Sequence, residues 1–155
     1  MSQSQTQTQV SLIDFMRSYI EKASTSYISD LERTPKDRLG EVPDAPKKSE
    51  IDFISDCTEE NLEIAHIIRG EKFEVPCYEG AKAVHHSIEE YSQLTADLMA
   101  SANDLLAAVE AVGDQGLSTV VTSPDGETLP AFRLATRAAN HMKYHDLYTG
   151  VQRPT

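Results

Sequence analysis

An all-α fold, four long amphipathic helices closed into one bundle, is what this sequence predicts, and three features of it do so. Apolar residues recur at spacings of three and four through four long stretches, the period of one helical face rather than the alternation of a half-buried strand. One of these stretches, through Val84, Ile88, Tyr91, Thr95, Leu98, Ala102, Leu105, Val109 and Val112, keeps that rhythm without a break, which is the seam of a bundle or coiled coil. Only Leu117 to Leu129 changes character, with β-branched residues around a turn, so a short hairpin or loop excursion is expected there and nowhere else. A chain of 155 residues is one domain by the usual prior and long enough to bury a core unaided.

The elements follow in order. Residues 1–10, mostly Ser, Gln and Thr, have nothing to bury and are expected to be a disordered lead-in, leaving 11–152 as a single helical domain. Ser11 can cap the first helix, with Asp14 at the spacing of a capping box. Its inward stripe reads Leu12, Phe15, Met16, Tyr19, Ile20 and Ala23 and continues through Tyr27 and Leu31, and Thr34-Pro35 ends it. A loop through Lys48 follows, marked by Gly40, Pro43 and Pro46. Ser49, with Asp52 three residues on, opens a second helix that runs to about Arg69 and stops at Gly70. Its inward face holds Ile51, Ile54, Cys57, Asn61, Ile64, Ala65 and Ile68, while His66 lies roughly opposite Cys57 and points to solvent. A connector through Pro76, Cys77 and Gly80 leads to the third helix, about Ala83 to Val112, closed by Gly113 and Gly116. Ser123-Pro124-Asp125-Gly126 is a type I turn sequence. Thr128 is the expected cap of the fourth helix, with Pro130 in its first turn and Gly150 at its end.

Composition excludes several classes of function. Fourteen Lys and Arg against 25 Asp and Glu give a formal charge of -11, which repels phosphate backbones and anionic lipid, so neither nucleic acid nor membrane is an expected partner. No apolar run has the length of a membrane span and the N-terminus carries no secretion signal, so a cytoplasmic protein is expected. Two cysteines without a paired motif fit a reducing compartment. Neither a Gly-x-Ser-x-Gly nucleophile motif nor a phosphate-cradling glycine loop is present.

The chemistry concentrates on the last helix. His141 and His145 are four apart, one turn above each other, on a stripe shared with Leu134, Ala138 and Tyr148. Neutral imidazoles at that spacing can reach one divalent metal ion. Bundles build such sites from inward side chains of facing helices, and Cys57 is the best third ligand, with Asp56, Glu60 and Asn61 as weaker ones and Asp146 beside the stripe. Three ligands and an open fourth position would lower the pKa of a bound water or thiol. The bland alternatives are hydrogen-bonded core histidines, a thiol acting as a small hydrophobe, and an Asn61 bonded to a neighbour. Tyr91 and Thr95 are core with a polar handle, or line a pocket facing the histidines; His85 and His86, at a helix start, read as surface residues.

Four stretches carry a family resemblance: Ser49-Glu-Ile-Asp-Phe-Ile-Ser-Asp-Cys57, Ile67-Ile-Arg-Gly70, Ser123-Pro-Asp-Gly-Glu-Thr-Leu-Pro130 and Asn140-His-Met-Lys-Tyr-His-Asp146. Over about residues 12–150 the sequence resembles the DinB/YfiT-like bundles. That resemblance implies a DinB-like four-helix bundle in which a histidine on the second helix joins two on the fourth around zinc or nickel. His141 and His145 match that motif, while the second-helix position falls on Cys57. The activity implied is a metal-dependent thiol S-transferase or hydrolase; the alternative is a non-catalytic small-ligand-binding or stress-associated protein that has lost the metal. A small-molecule ligand and a homodimer are the expected partners.

Overall fold

The computed structural model describes residues 11–42, 48–71 and 86–152. The expected lead-in, Cys77, His85 and the start of the third helix at Ala83 lie outside the described residues.

α1 spans Leu12–Glu32, with Ser11 Oγ accepting from the Asp14 amide at 3.1 Å. The box is one-sided: the Asp14 carboxylate takes Arg17 instead, at 3.1 Å. Met16, Ile20, Ala23, Tyr27 and Leu31 are buried. Phe15, expected on the inward stripe, is 53% exposed and stacks on Tyr19 at 5.7 Å; its position at the edge of the stripe clears the neighbouring helices. The proline-bearing stretch read as loop contains a further short helix, α2, Lys36–Leu39, which Pro35 leads and which sinks Leu39 into the core at 1% exposure.

α3 spans Glu50–Arg69 and opens with a complete capping box between Ser49 and Asp52. It closes on Gly70, whose φ of 74° is the left-handed conformation a side chain resists. All seven residues of the expected inward face are buried, joined by Glu50, Asp52, Phe53 and Glu63. His66 is not turned fully to solvent; its side chain is 35% exposed and Nδ1 meets Glu71 at 2.6 Å.

The third long helix starts later than its sequence period indicates. Ser87 precedes one turn of 3-10 helix, Ile88–Glu90, and α4 then runs over Tyr91–Ser118. Ser87 donates its amide to the Glu90 carboxylate at 2.7 Å, which sets the start there. His86 is partly covered rather than free on the surface, its side chain 18% exposed near Glu90. Gly113, with φ 68° and ψ -179°, breaks the helix but does not finish it; a last turn buries Leu117.

The expected hairpin is present as β1, Val120–Thr122, antiparallel to β2, Thr128–Pro130, with Val121 opposite Leu129. Thr128 is therefore not a helix cap. It pairs with Thr122, and the last helix, α5, begins one residue after Pro130 at Ala131, whose amide donates to Thr119 O at 2.9 Å. A cross-strand partner outcompetes the local capping signal. α5 passes the expected stop at Gly150 and reaches Gln152.

The fold is all-α, and its helix directions are legible from contacts between elements. Met16 meets Thr136 and Ser26 meets Asp146, so α1 and α5 run parallel. Arg17 reaches Glu110, so α1 and α4 run opposite ways. Asn61 meets Ser101 and Arg69 forks onto Asp104, so α3 and α4 run parallel, and Glu60 with Arg137 places α3 antiparallel to α5.

Candidate metal centre

Antiparallel contact of α3 with α5 is what assembles the centre. Residues one turn apart on α5, Arg137, His141, His145 and Thr149, face a descending series on α3: Arg137 meets Glu60, His145 stacks on Phe53, and Thr149 donates to the Glu50 carboxylate. Cys57 lies in that series between Glu60 and Phe53, at the level of the two histidines. One ligand atom from each of Cys57, His141 and His145 lies within 4.8 Å of the others. The two Nε2 atoms are 2.9 Å apart and so face one another across the site.

Burial controls the protonation of this group. His145 is 5% exposed and its ring is packed on Phe53, with centroids 4.2 Å apart and planes 20° apart, and edge-on to Tyr144 at 5.3 Å. Desolvation, helped by the neighbouring His141 and Lys48, lowers its pKa to about 3, so the imidazole is neutral at ordinary pH. Cys57 is 1% exposed, and burial, with the charges of Glu60 and Asp56, pushes its thiol well above the usual range. His141 has the open flank of the three, its side chain 28% exposed. Its Nδ1 lies in ion-pair contact with Glu60 Oε2, although no directed hydrogen bond forms there. His145 Nδ1 is buried without a hydrogen-bond partner.

The donor set fits a divalent metal. A thiolate and two neutral imidazoles are ligands that zinc takes, at metal bonds of about 2.0–2.3 Å, and donors within 4.8 Å of one another would draw together to hold one ion. The thiol must lose its proton on binding, which the surrounding burial opposes in the metal-free protein.

The other predicted residues fall around or away from this point. Asn61 is fully buried one turn deeper, its Nδ2 on Ser101 Oγ at 3.1 Å and near Met142 Sδ at 3.6 Å, with Oδ1 unpartnered. Asp56 pairs with Lys48 at 2.6 Å, and Asp146 faces α1, where it accepts from Ser26. Thr95 donates to carbonyls of its own helix, at Tyr91 and Ser92. Tyr91 is partly buried, and among the described residues no hydrogen bond, ion pair or ring contact joins it or Thr95 to the histidines. Tyr27, expected on the inward stripe of α1 and fully buried there, was not read as a neighbour of the site: burial, with Cys57 and Glu50 nearby, raises the pKa of its phenol, and its hydroxyl is unpartnered. Sequence reasoning missed Arg137, although Arg137, His141 and His145 at four-residue intervals were a readable signal. Separately, a groove of about 350 Å³ lies between α1 and α5, lined in part by Tyr19, Lys22, Lys143 and Leu147.

No protein-family model matches the chain, and no curated protein sequence does. Solved structures do match. The crystal structure of the mycothiol-dependent maleylpyruvate isomerase aligns with a TM-score of 0.64 at 17% identity, and that of its histidine-to-alanine mutant with 0.66 at 16%. The fold is DinB-like. Each alignment covers 92% of this chain and 64% of the other, so this DinB-like bundle spans under two thirds of the isomerase chain. At that identity the likeness concerns the fold.

Proposed function

We propose that this DinB-like protein is a metal-dependent thiol S-transferase or hydrolase that holds zinc or nickel through Cys57, His141 and His145. The observation that carries the reading is the convergence of one sulfur and two imidazole nitrogens, from two helices, within 4.8 Å. A bound ion would supply Lewis acidity, lowering the pKa of a thiol or water at its open position. The protein's own contribution is to fix and dry the site. Phe53 and Tyr144 hold the His145 ring, burial keeps that ring neutral, and the partly open flank of His141 gives a substrate its approach. Likeness in fold to an enzyme named for its dependence on mycothiol supports a thiol over water as the nucleophile.

Metal analysis of protein purified without a histidine tag tests this. About one ion per chain is expected, lost in the His141→Ala, His145→Ala double variant. Substoichiometric metal that the double substitution leaves unchanged would refute it.

One observation favours a second reading, a small-ligand-binding or stress-associated protein without catalysis: Cys57 and His145 are sealed at 1% and 5% exposure. Thermal-shift screening with zinc, nickel and manganese separates the two, because a native-state ligand raises apparent stability. No rise with any of the three supports a bundle that has lost its metal. The homodimer remains a proposal resting on the exposed Phe15, Tyr144 and Leu147, and a monomeric mass in solution would dismiss it. Among the described residues no helix is long and apolar enough to cross a membrane.

A further inference from the structure

We infer that Glu60 is the positioning residue of the centre: its carboxylate holds His141 as the tautomer protonated at Nδ1, so that the unprotonated Nε2 is the nitrogen turned into the site. The inference rests on the metal reading for its purpose but on the contacts of α3 and α5 for its argument. His141 presents its two nitrogens to different surroundings. Nε2 faces the other imidazole at 2.9 Å, and Nδ1 lies against Glu60 Oε2. A carboxylate is an acceptor only, so the proton of a neutral His141 ring is stabilised on the Nδ1 side.

The opposing imidazole points the same way. Two neutral rings meeting through Nε2 need one donor and one acceptor. If His141 carried its proton at Nε2, His145 would have to accept there and place its own proton at Nδ1, which is buried and without a partner. Buried N–H groups without a partner are rarer in folded proteins than under-satisfied acceptors, which disfavours that arrangement. With His141 protonated at Nδ1, His145 donates from Nε2, and the one N–H without a directed hydrogen bond lies against the Glu60 carboxylate instead of among apolar groups.

Glu60 is itself held. Its other oxygen, Oε1, accepts from Arg137 Nε at 3.1 Å, and Arg137 Nη1 reaches Asp125 in the hairpin turn at 3.3 Å. Asp125 is bound in turn by Ser123 Oγ. The chain therefore runs from the turn between β1 and β2 to the ring of His141. Its parts sit 18% exposed at the Glu60 side chain and 33% at Arg137, so the carboxylate is sheltered while its clamp is partly open. Carboxylates that orient a ligating imidazole in this way change metal affinity by about 10–100-fold when removed.

The test uses the full chain as wild type, Glu60→Gln, Glu60→Ala and Arg137→Ala. Long-range nitrogen–proton correlation spectra of the metal-free proteins read the tautomer of His141 directly, and competition against a chromophoric chelator reads zinc affinity. Wild type is expected to show the Nδ1–H tautomer. Glu60→Ala should lose that preference and bind zinc about 10–100-fold more weakly, Glu60→Gln should lie between, and Arg137→Ala should reproduce a part of the effect. Thermal melts of the metal-free variants account for any purely structural loss, which leaves the tautomer signal unmoved. An Nε2–H tautomer in wild type, or a Glu60→Ala protein with unchanged tautomer and unchanged zinc affinity, overturns the inference. If wild type binds no zinc while the tautomer shifts as stated, the positioning role stands and the metal reading falls.

Discussion

At the scale of single residues, burial sets the pH response of the core. His145 is neutral in the fold, its pKa lowered to about 3, and returns to about 6.5 when unfolded. Between those values the unfolded chain binds the additional proton, so this group's stabilisation is complete above pH 6.5 and is lost as pH falls, at up to about 1.4 kcal/mol per pH unit. Glu50 acts oppositely. Its carboxyl is raised by burial, against the Thr149 bond that lowers it, so its contribution is complete below its unfolded value of 4.5 and declines as pH rises through the folded pKa. Cys57 has the same sign at the alkaline end, where its thiol resists the ionisation that the unfolded chain allows. Metal-free protein is therefore expected to unfold in less urea at pH 5 than at pH 7, and His145→Gln to flatten that acid limb. An equal slope in both proteins would assign the limb to other groups.

At the scale of elements, the start of α3 is a junction as well as a cap. Ser49 Oγ accepts the Asp52 amide at 3.2 Å, and Asp52 returns one oxygen to the Ser49 amide at 3.1 Å and gives the other to the His86 amide at 2.8 Å. Ser49→Ala should cost about 1 kcal/mol, as a lost cap does. Asp52→Ala should cost more, because it strands two amides on different elements, and chemical denaturation of both variants measures the difference. Equal costs would show that the link to His86 carries no weight. The cap was legible because its partners lie three residues apart, and the α3 face was legible because one helical period predicts seven of its eleven buried residues. Thr128 was misread for the reason that exposes the limit of such signals: its strand partner, Thr122, is found only once the turn folds back. The same holds for Glu60, whose neighbours His141 and Arg137 are adjacent only in space. Leu39 was hidden by prolines and a glycine that mark a loop equally well when they flank a single helical turn.

At the scale of the whole molecule, the order of packing departs from a simple up-and-down bundle. α3 and α4 run parallel although they follow each other among the long helices, and α1 and α5 run parallel at the two ends of the described chain. The candidate centre accordingly joins segments far apart in sequence: Glu60 and Arg137 are separated by 77 positions. A metal held there would bind the folded topology and not any fragment of it, and would stabilise the fold as a whole by mass action.

The sealed thiol turns this topology into a clock. Cys57 can meet a reagent only when the face of α3 toward α5 opens, since it is 1% exposed in the closed bundle. In a Cys77→Ser background, its alkylation rate counts those openings. The rate should rise with urea in step with partial separation of the last helix and fall when zinc is added. Alkylation as fast as that of a free thiol in native buffer would mean that the core around Cys57 opens continually.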